Sequence, residues 1–162
     1  YVLFNYMEQD GKPKLIMSLN KNIVDVKFHL NGDSIWQKGL KDNRVLNPDL
    51  KLTGQKNAGF IFTRDPIACR QTMAIDVTLK EPVEYDFTLY FLDWDQQSRR
   101  TAIEVFDLDT REMISPVKII DHYSMGKYVT YRYNNSIRFR INHVRGPNAV
   151  ASGLFFDKAA TE

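Results

Sequence analysis

Over much of the second half of the chain, apolar residues recur at every second position. Val83, Tyr85, Phe87, Leu89 and Phe91 fall on one face of an extended segment, and Glu84, Asp86, Thr88 and Tyr90 on the other. Met73, Ile75, Val77 and Leu79 alternate with Thr72, Ala74, Asp76 and Thr78, as do Ile137, Phe139 and Ile141 with Ser136, Arg138, Arg140 and Asn142. The pattern predicts strands with one face in a core and one in water. Further strands are expected over Val2–Tyr6, Ile23–Leu30, Gly59–Thr63, Ala102–Asp107, Val117–His122, Lys127–Tyr133 and Ala149–Phe156, about ten in all. No window of helical length carries a sustained apolar face.

Turn chemistry separates these runs at Asp10-Gly11, Asn31-Gly32-Asp33, Asn47-Pro48-Asp49, Asp107 to Thr110, Asn134-Asn135 and Arg145-Gly146-Pro147-Asn148. Many short strands with regular turns mean a sandwich or a barrel. The number of strands and the mixed connection lengths favour an all-β, two-sheet jelly roll over an immunoglobulin-type sandwich. Lys38 to Asn57 is the least regular stretch and reads as a long surface loop crossing one end. No internal repeat and no Pro-, Gly- or Ser-rich linker divides the chain, so one domain is expected over residues 1–162.

Composition narrows the function classes. A chain of 162 residues is long enough to fold on its own core. Its 22 basic and 20 acidic residues nearly cancel and are interspersed, which favours neither a nucleic acid nor an anionic membrane as partner. The apolar runs are far shorter than the roughly 20 residues that span a bilayer, so membrane insertion is not expected. The single cysteine, Cys69, has no internal disulfide partner; it lies beside Arg70 with no histidine base nearby and reads as inert and buried. The chain opens at Tyr1 inside an apolar run, YVLFNY, which suggests a fragment of a longer protein.

The stretch LYFLDWDQQSRR, Leu89 to Arg100, concentrates the candidate chemistry. Hydrolysis of a glycosidic bond needs two carboxyl groups on opposite sides of the substrate. Asp93 and Asp95 are neighbours on one short loop, as are Asp107 and Asp109, and such pairs normally lie on one side of a ligand. They read as turn caps, with a calcium site at Asp93 and Asp95 as the alternative. His29, His122 and His143 lack metal-ligand spacing, and no nucleophile elbow, phosphate loop or dinucleotide fingerprint is present. No catalytic residue is assigned, and no cofactor other than calcium is suggested.

The aromatic residues are more informative. A sugar offers apolar CH faces ringed by hydroxyls, so its site combines an aromatic platform with amide, carboxylate and arginine groups. Trp94, escorted by Asp93, Asp95, Gln96, Gln97, Arg99 and Arg100, has that composition, and Trp36 has a similar polar escort. Burial in the core is the competing reading for both tryptophans. Tyr128 has the opposite parity to Tyr131 and Tyr133 and is set apart from them.

LYFLDWDQQSRRTAIEVFDLDT, GKYVTYRY and IRFRINHVRGPNAVASGLFFD, in this order, give the chain a family likeness. It resembles the C-terminal β-sandwich accessory domains of Bacteroides-type glycoside hydrolases such as alpha-L-rhamnosidase-like enzymes, from about Gln71 to Asp157 and more loosely from Tyr1. The resemblance implies a non-catalytic, galactose-binding-like jelly roll, similar to carbohydrate-binding modules, joined to a catalytic domain that lies elsewhere. Asp93-Trp94-Asp95, Arg99 or Arg100, Asp107 and the Gly146 to Gly153 segment stand where the family pattern stands. The ligand-binding candidates are therefore Trp94, Trp36, Asp93, Asp95, Arg99 and Arg100. The expected partners are a glycan or the parent catalytic domain, and the expected setting is the periplasm, the cell surface or the extracellular medium, as a monomer. A structural domain without a ligand is the alternative, and an independent hydrolase or lyase the least supported reading.

Overall fold

The computed structural model describes residues 1–7, 13–30, 34–40, 44–46, 56–62 and 72–159, with backbone only at 5–7, 13–16, 30, 34–40 and 56–62. In chain order the strands are β1 (Val2–Met7), β2 (Pro13–Met17), β3 (Ile23–Leu30), β4 (Ser34–Leu40), β5 (Lys56–Phe62), β6 (Thr72–Leu79) and β7 (Tyr85–Phe91). They continue with β8 (Arg100–Asp107), β9 (Lys118–Ile120), β10 (Lys127–Tyr133), β11 (Ile137–Arg145), β12 (Val150–Ala151) and β13 (Gly153–Lys158). One sheet has the order β10-β7-β13-β1-β2 and the other β3-β6-β11-β8-β9, with a small third sheet, β12-β5-β4, beside them. Every pairing among these strands is antiparallel. The expected jelly-roll sandwich is the fold observed.

The period-two residues do what their alternation predicts. Met73, Ile75 and Val77 of β6, Phe87, Leu89 and Phe91 of β7, and Ile137, Phe139 and Ile141 of β11 are all buried in one core. Aromatic edges join the two sheets: Phe139 lies 6.3 Å from Phe87 and 5.6 Å from Tyr131 across the sandwich, and Phe4 meets Phe28 at 5.2 Å. Such pairs add roughly 0.5–1.5 kcal/mol beyond the area they bury. Because β7, β8, β10, β11 and β13 fall alternately in the two large sheets, neighbours in space are distant in sequence.

Several expectations need correction. Ala149–Phe156 is not one strand: Val150–Ala151 pairs with β5, and Gly153–Lys158 pairs with β7 and β1. Ser152 marks the change of sheet, its amide donating to the Tyr90 carbonyl and its carbonyl accepting from the Phe4 amide. Val24, which period two would place on the inner face of its strand with Val26 and Phe28, is 58% exposed, because the register of β3 against β6 shifts between Ile23 and Asp25 and the bulge turns it outward. Tyr90, assigned to the wet face, is only 4% exposed. Part of the presumed surface loop lies over it: Val45 and Leu46 pack beside Tyr90, and the Tyr90 hydroxyl donates to the Arg44 carbonyl. The irregular stretch is also shorter than expected, since β4 runs to Leu40 and β5 begins at Lys56. Cys69 lies outside the described residues.

The wet faces are laced by ion pairs. Arg138 forks onto Asp76 at 2.6 and 2.8 Å, and His29 meets the same carboxylate at 2.8 Å. Arg132 forks likewise onto Asp86, and Glu104 accepts from Arg140 and Asn142. Exposed pairs of this kind contribute at most about 1 kcal/mol each. Burial pushes the Asp76 carboxyl up, but the bonds from Arg138 and His29 outweigh it and hold the group below the ordinary carboxylate range. The bond from Arg140 depresses Glu104, and the amides of Thr110 and Asp109 depress Asp107.

Two outcomes follow from this architecture. Carboxyls depressed in the fold stabilise it fully above their unfolded values and lose that contribution as pH falls through the folded ones. Urea midpoints should thus hold steady from about pH 7 to 5 and fall below about pH 4. The Tyr131 hydroxyl is buried without a hydrogen-bond partner among the described residues, and burial pushes its pKa up to about 12. Removing an unsatisfied hydroxyl while keeping the ring should cost nothing, so Tyr131→Phe is expected to stabilise the domain by on the order of 1 kcal/mol in urea unfolding.

Candidate functional site at the end of the sandwich

Asp93 follows directly on the last buried residues of β7, so its side chain enters the end of the core rather than solvent. Both it and Arg99 are nearly inaccessible, at 3% and 4% exposure. A carboxylate in that position must be neutralised or heavily hydrogen-bonded. The Arg99 guanidinium pairs with Asp93 and with Asp95, and its Nε donates to Asn148 Oδ1 at 2.9 Å. The Asp93 carboxylate also accepts the backbone amides of Gln97 at 3.1 Å and Arg99 at 3.2 Å. Burial disfavours the Arg99 cation, but its bonds to Asp95 and Asp93 prevail and raise its pKa further above the ordinary arginine value.

This network fixes the loop. Winding Gln97 and Arg99 back to one carboxylate leaves Gln96 and Ser98 at φ near +54°. The neighbouring turn is shaped to fit: Gly146 has φ +91°, and a Cβ there would stand 3.0 Å from the Arg99 backbone. His143 Nε2 donates to the Gly146 carbonyl at 2.6 Å, which steadies the same turn. On the opposite side, the Asp93 amide donates to the Tyr123 carbonyl, and the buried Tyr123 hydroxyl bonds Thr101 at 3.0 Å. The calcium alternative does not fit these residues. Asp93 and Asp95 do converge, but on an arginine, and no group of three His, Cys, Asp or Glu side chains placed to hold a metal occurs among the described residues.

Above the network opens a cleft of about 350 Å³ lined by Asp93, Gln96, Ser98, Arg100, Asp121, His122, Ser124 and Arg145. Its parts come from the β7–β8 loop, the β9–β10 loop and the end of β11. Arg100 and Arg145 stand opposite each other across the β8–β11 ladder. Like charges in that relation repel unless acceptors come between them; Asp121 supplies one, 3.5 Å from Arg100. His122 has φ +51°, a region that few residues other than glycine adopt.

Of the six sequence candidates, the structure brings four together. Asp93 and Arg100 line the cleft, and Asp95 and Arg99 form the network beneath it. Trp94 turns away, half-buried against Leu92, Tyr90 and Val45, and its carbonyl accepts from Arg44. The Trp36 backbone pairs with Gly59 of β5, in the small sheet, and its side chain lies outside the described residues. Asp107 caps its own turn through the amides of Asp109 and Thr110, the role expected of it. Sequence reasoning did not select Asp121, His122, Ser124 or Arg145. His122 carried a weak signal as a polar residue between two strands, but only the pairing of β11 with β8 reveals that Arg145 faces Arg100.

No protein-family model matches the chain, and no curated protein does. Among solved structures it is similar to a family 35 carbohydrate-binding module from Clostridium thermocellum, at 11% identity and a TM-score of 0.40 over 84% of this chain and 100% of that one. It is also similar to TmCBM61 in complex with beta-1,4-galactotriose, at 9% identity and a TM-score of 0.42, over 85% and 91% of the two chains. A third similar structure is the enzymatically active domain of tailspike protein 4 of bacteriophage CBA120, at 9% identity and a TM-score of 0.40, over 86% of this chain and 20% of that one.

Removing Arg99 would leave Asp93 charged, buried and unpaired. Arg99→Met should therefore destabilise the domain by about 3–5 kcal/mol, read from urea melts. Gly146→Ala, which combines an unfavourable φ with contact on the Arg99 backbone, should cost about 1–3 kcal/mol in the same assay.

Proposed function

We propose that this domain is a non-catalytic carbohydrate-binding module and that the cleft at the end of the sandwich takes the sugar. The observation that carries the reading is the make-up of that cleft. Three of its lining residues, Gln96, Ser98 and His122, are held at positive φ around a rigid, buried charge network. Strained loop residues persist only where their surroundings over-determine them, and they gather at binding sites. Gln96 and His122 are exposed, and with Ser98, Ser124 and the two arginines they offer paired donors and acceptors of the kind that sugar hydroxyls engage.

The same geometry argues against hydrolysis. Asp93 is committed to Arg99 and to two amides, and Asp121 lies beside Arg100, so the two carboxylates of the cleft already serve cations and loop backbone. In this reading Asp95 and Arg99 act as framework rather than contacts, while Arg100 touches the ligand. Trp94 supports the loop from below, and Trp36 is a candidate on the adjoining small sheet. A glycan-degrading parent enzyme at the cell surface, in the periplasm or outside the cell, such as the glycoside hydrolases that the sequence resembles, would give such a module its purpose.

The test is native affinity electrophoresis through gels of neutral galactan, xylan and pectin. Retardation by at least one polysaccharide is expected, with Gln96→Ala, His122→Ala and Arg100→Gln each weakening it by about two- to tenfold, as the loss of one or two hydrogen bonds implies. Unretarded migration in every gel would defeat the reading in favour of a structural domain that packs on its catalytic partner.

A further inference from the structure

A second cleft, of about 470 Å³, lies on the outer face of the sheet that contains β6, β8 and β11, with part of its lining from the β8–β9 turn. Ala74, Phe106 and Leu108 give it an apolar lining, and Arg111, Arg138 and Arg140 give it charge. The register explains the hollow. Ala74 stands opposite Arg140, and Phe106 stands opposite Arg138, so a methyl group occupies a position between long side chains.

The arginines are set up differently from one another. Arg138 is clamped edge-on by its fork to Asp76, which occupies Nε and Nη2 and leaves Nη1 for another acceptor. The Arg140 guanidinium is bonded to Glu104 through Nε and stacks 4.9 Å over the Phe106 ring, which leaves its two terminal nitrogens uncommitted. The side chain of Arg111 is exposed and makes no ion pair or hydrogen bond among the described residues. Its backbone is held at φ +62° in a turn in which the Arg111 amide donates to the Asp107 carbonyl at 2.9 Å. The lone carboxylate of the lining, Asp107, is spent on that turn: one oxygen accepts from Asp109 and Thr110, the other from Asn135. Donors therefore outnumber acceptors in the cleft, beside an aromatic ring.

Together with the loop-end cleft, this one accounts for every non-glycine residue of positive φ among the described residues: Gln96, Ser98 and His122 line the first, and Arg111 the second. We propose that the Arg111–Arg138–Arg140 cleft is a separate binding site for a glycan unit that carries an oxyanion, either a uronate carboxylate or a sulfate ester. The guanidinium planes of Arg138 and Arg140, held by their carboxylate partners, present planar donors to the oxyanion without further loss of side-chain freedom, Arg111 closes on it from the turn, and the ring and methyl surface receive the apolar face of the sugar. The site shares with the loop-end reading only the assumption that the ligand is a glycan.

The experiment is affinity electrophoresis of the intact domain in polygalacturonate, which offers carboxylates alone, in dextran sulfate, which offers sulfates alone, and in plain dextran. Arg111→Gln is the test variant; because Arg111 is exposed and unbonded, its melting temperature should match that of the parent. Lys158→Gln, an equal loss of charge on the other sheet, is the control, and Arg100→Gln reads the loop-end cleft. Binding to one or both polyanions that falls about tenfold in Arg111→Gln and is little changed in Lys158→Gln supports the site, and the polymer that binds names the oxyanion. Failure of the parent domain to bind either polyanion overturns the proposal, as does an equal loss in Arg111→Gln and Lys158→Gln, which means diffuse attraction. Loss confined to Arg100→Gln overturns it too, by assigning the anion to the loop-end cleft. Retardation by neutral galactan without polyanion binding would sink this site and leave the loop-end reading standing; polyanion binding that Arg111→Gln removes and that Gln96→Ala and His122→Ala leave unchanged would support this site alone.

Discussion

The end of the sandwich is organised by one electrostatic requirement: Asp93 is carried into the core by the strand that precedes it, and its charge has to be met there. Arg99 meets it, six residues along the same chain, so the intervening loop has to double back. Gln96 and Ser98 take up left-handed backbone as a result. Asn148 satisfies the Nε of Arg99, and the close approach of its turn to Arg99 requires a residue without a Cβ at Gly146. Replacing such a buried pair with apolar residues often costs nothing in stability. Its worth here lies in conformation: two loops and the end of β11 are locked into one arrangement, and the polar cleft is what that arrangement leaves open.

The layered part of the fold was readable because a half-buried antiparallel strand writes its geometry into the sequence at period two. β6, β7 and β11 follow that rule almost residue for residue, and their buried faces are the ones that the alternation assigns. The rule fails where burial has a second cause. Tyr90 looked wet because its parity is that of Asp86 and Thr88, yet Val45 and Leu46 cover it from a segment with no periodic signal of its own. Val24 shares the parity of Val26 and Phe28 yet faces outward, because a bulge shifts the register there, and nothing in Ile23-Val24-Asp25 announces it. Strands β2 and β4 were not expected at all; they are short, and Ser34–Leu40 alternates too weakly to stand out from turn-like surroundings.

The candidate site was legible in part, for a related reason. LDWDQQSRR attracts notice because charged and amide groups follow an apolar strand at once, and that local contrast correctly marked the end of the core. Which of those groups face a ligand and which face each other is a matter of burial, and burial at a strand end depends on what the rest of the chain brings there. Asp93 and Arg99 are nearly as interior as Leu92 although both are charged, whereas Arg100, one position on, has the opposite orientation by the alternation of β8. Asp121, His122 and Arg145 arrive from elsewhere in the chain and become neighbours only through the β8–β9 and β8–β11 pairings.

Backbone strain ties the two clefts to one physical argument. A residue with a side chain at positive φ costs of order 1–3 kcal/mol, and a fold retains it only where stronger local bonds enforce it. At Gln96 and Ser98 the enforcing bonds come from Asp93; in the β8–β9 turn they come from Asp107, whose carboxylate accepts two amides and the Asn135 side chain. In both places an aspartate at the end of a buried strand spends its charge on shaping the loop beside it, and an arginine or a group of hydrogen-bonding side chains is presented outward as a consequence. Aspartates that look like ligands in the sequence act one step removed, and the groups available to a ligand are those which the aspartates hold in place.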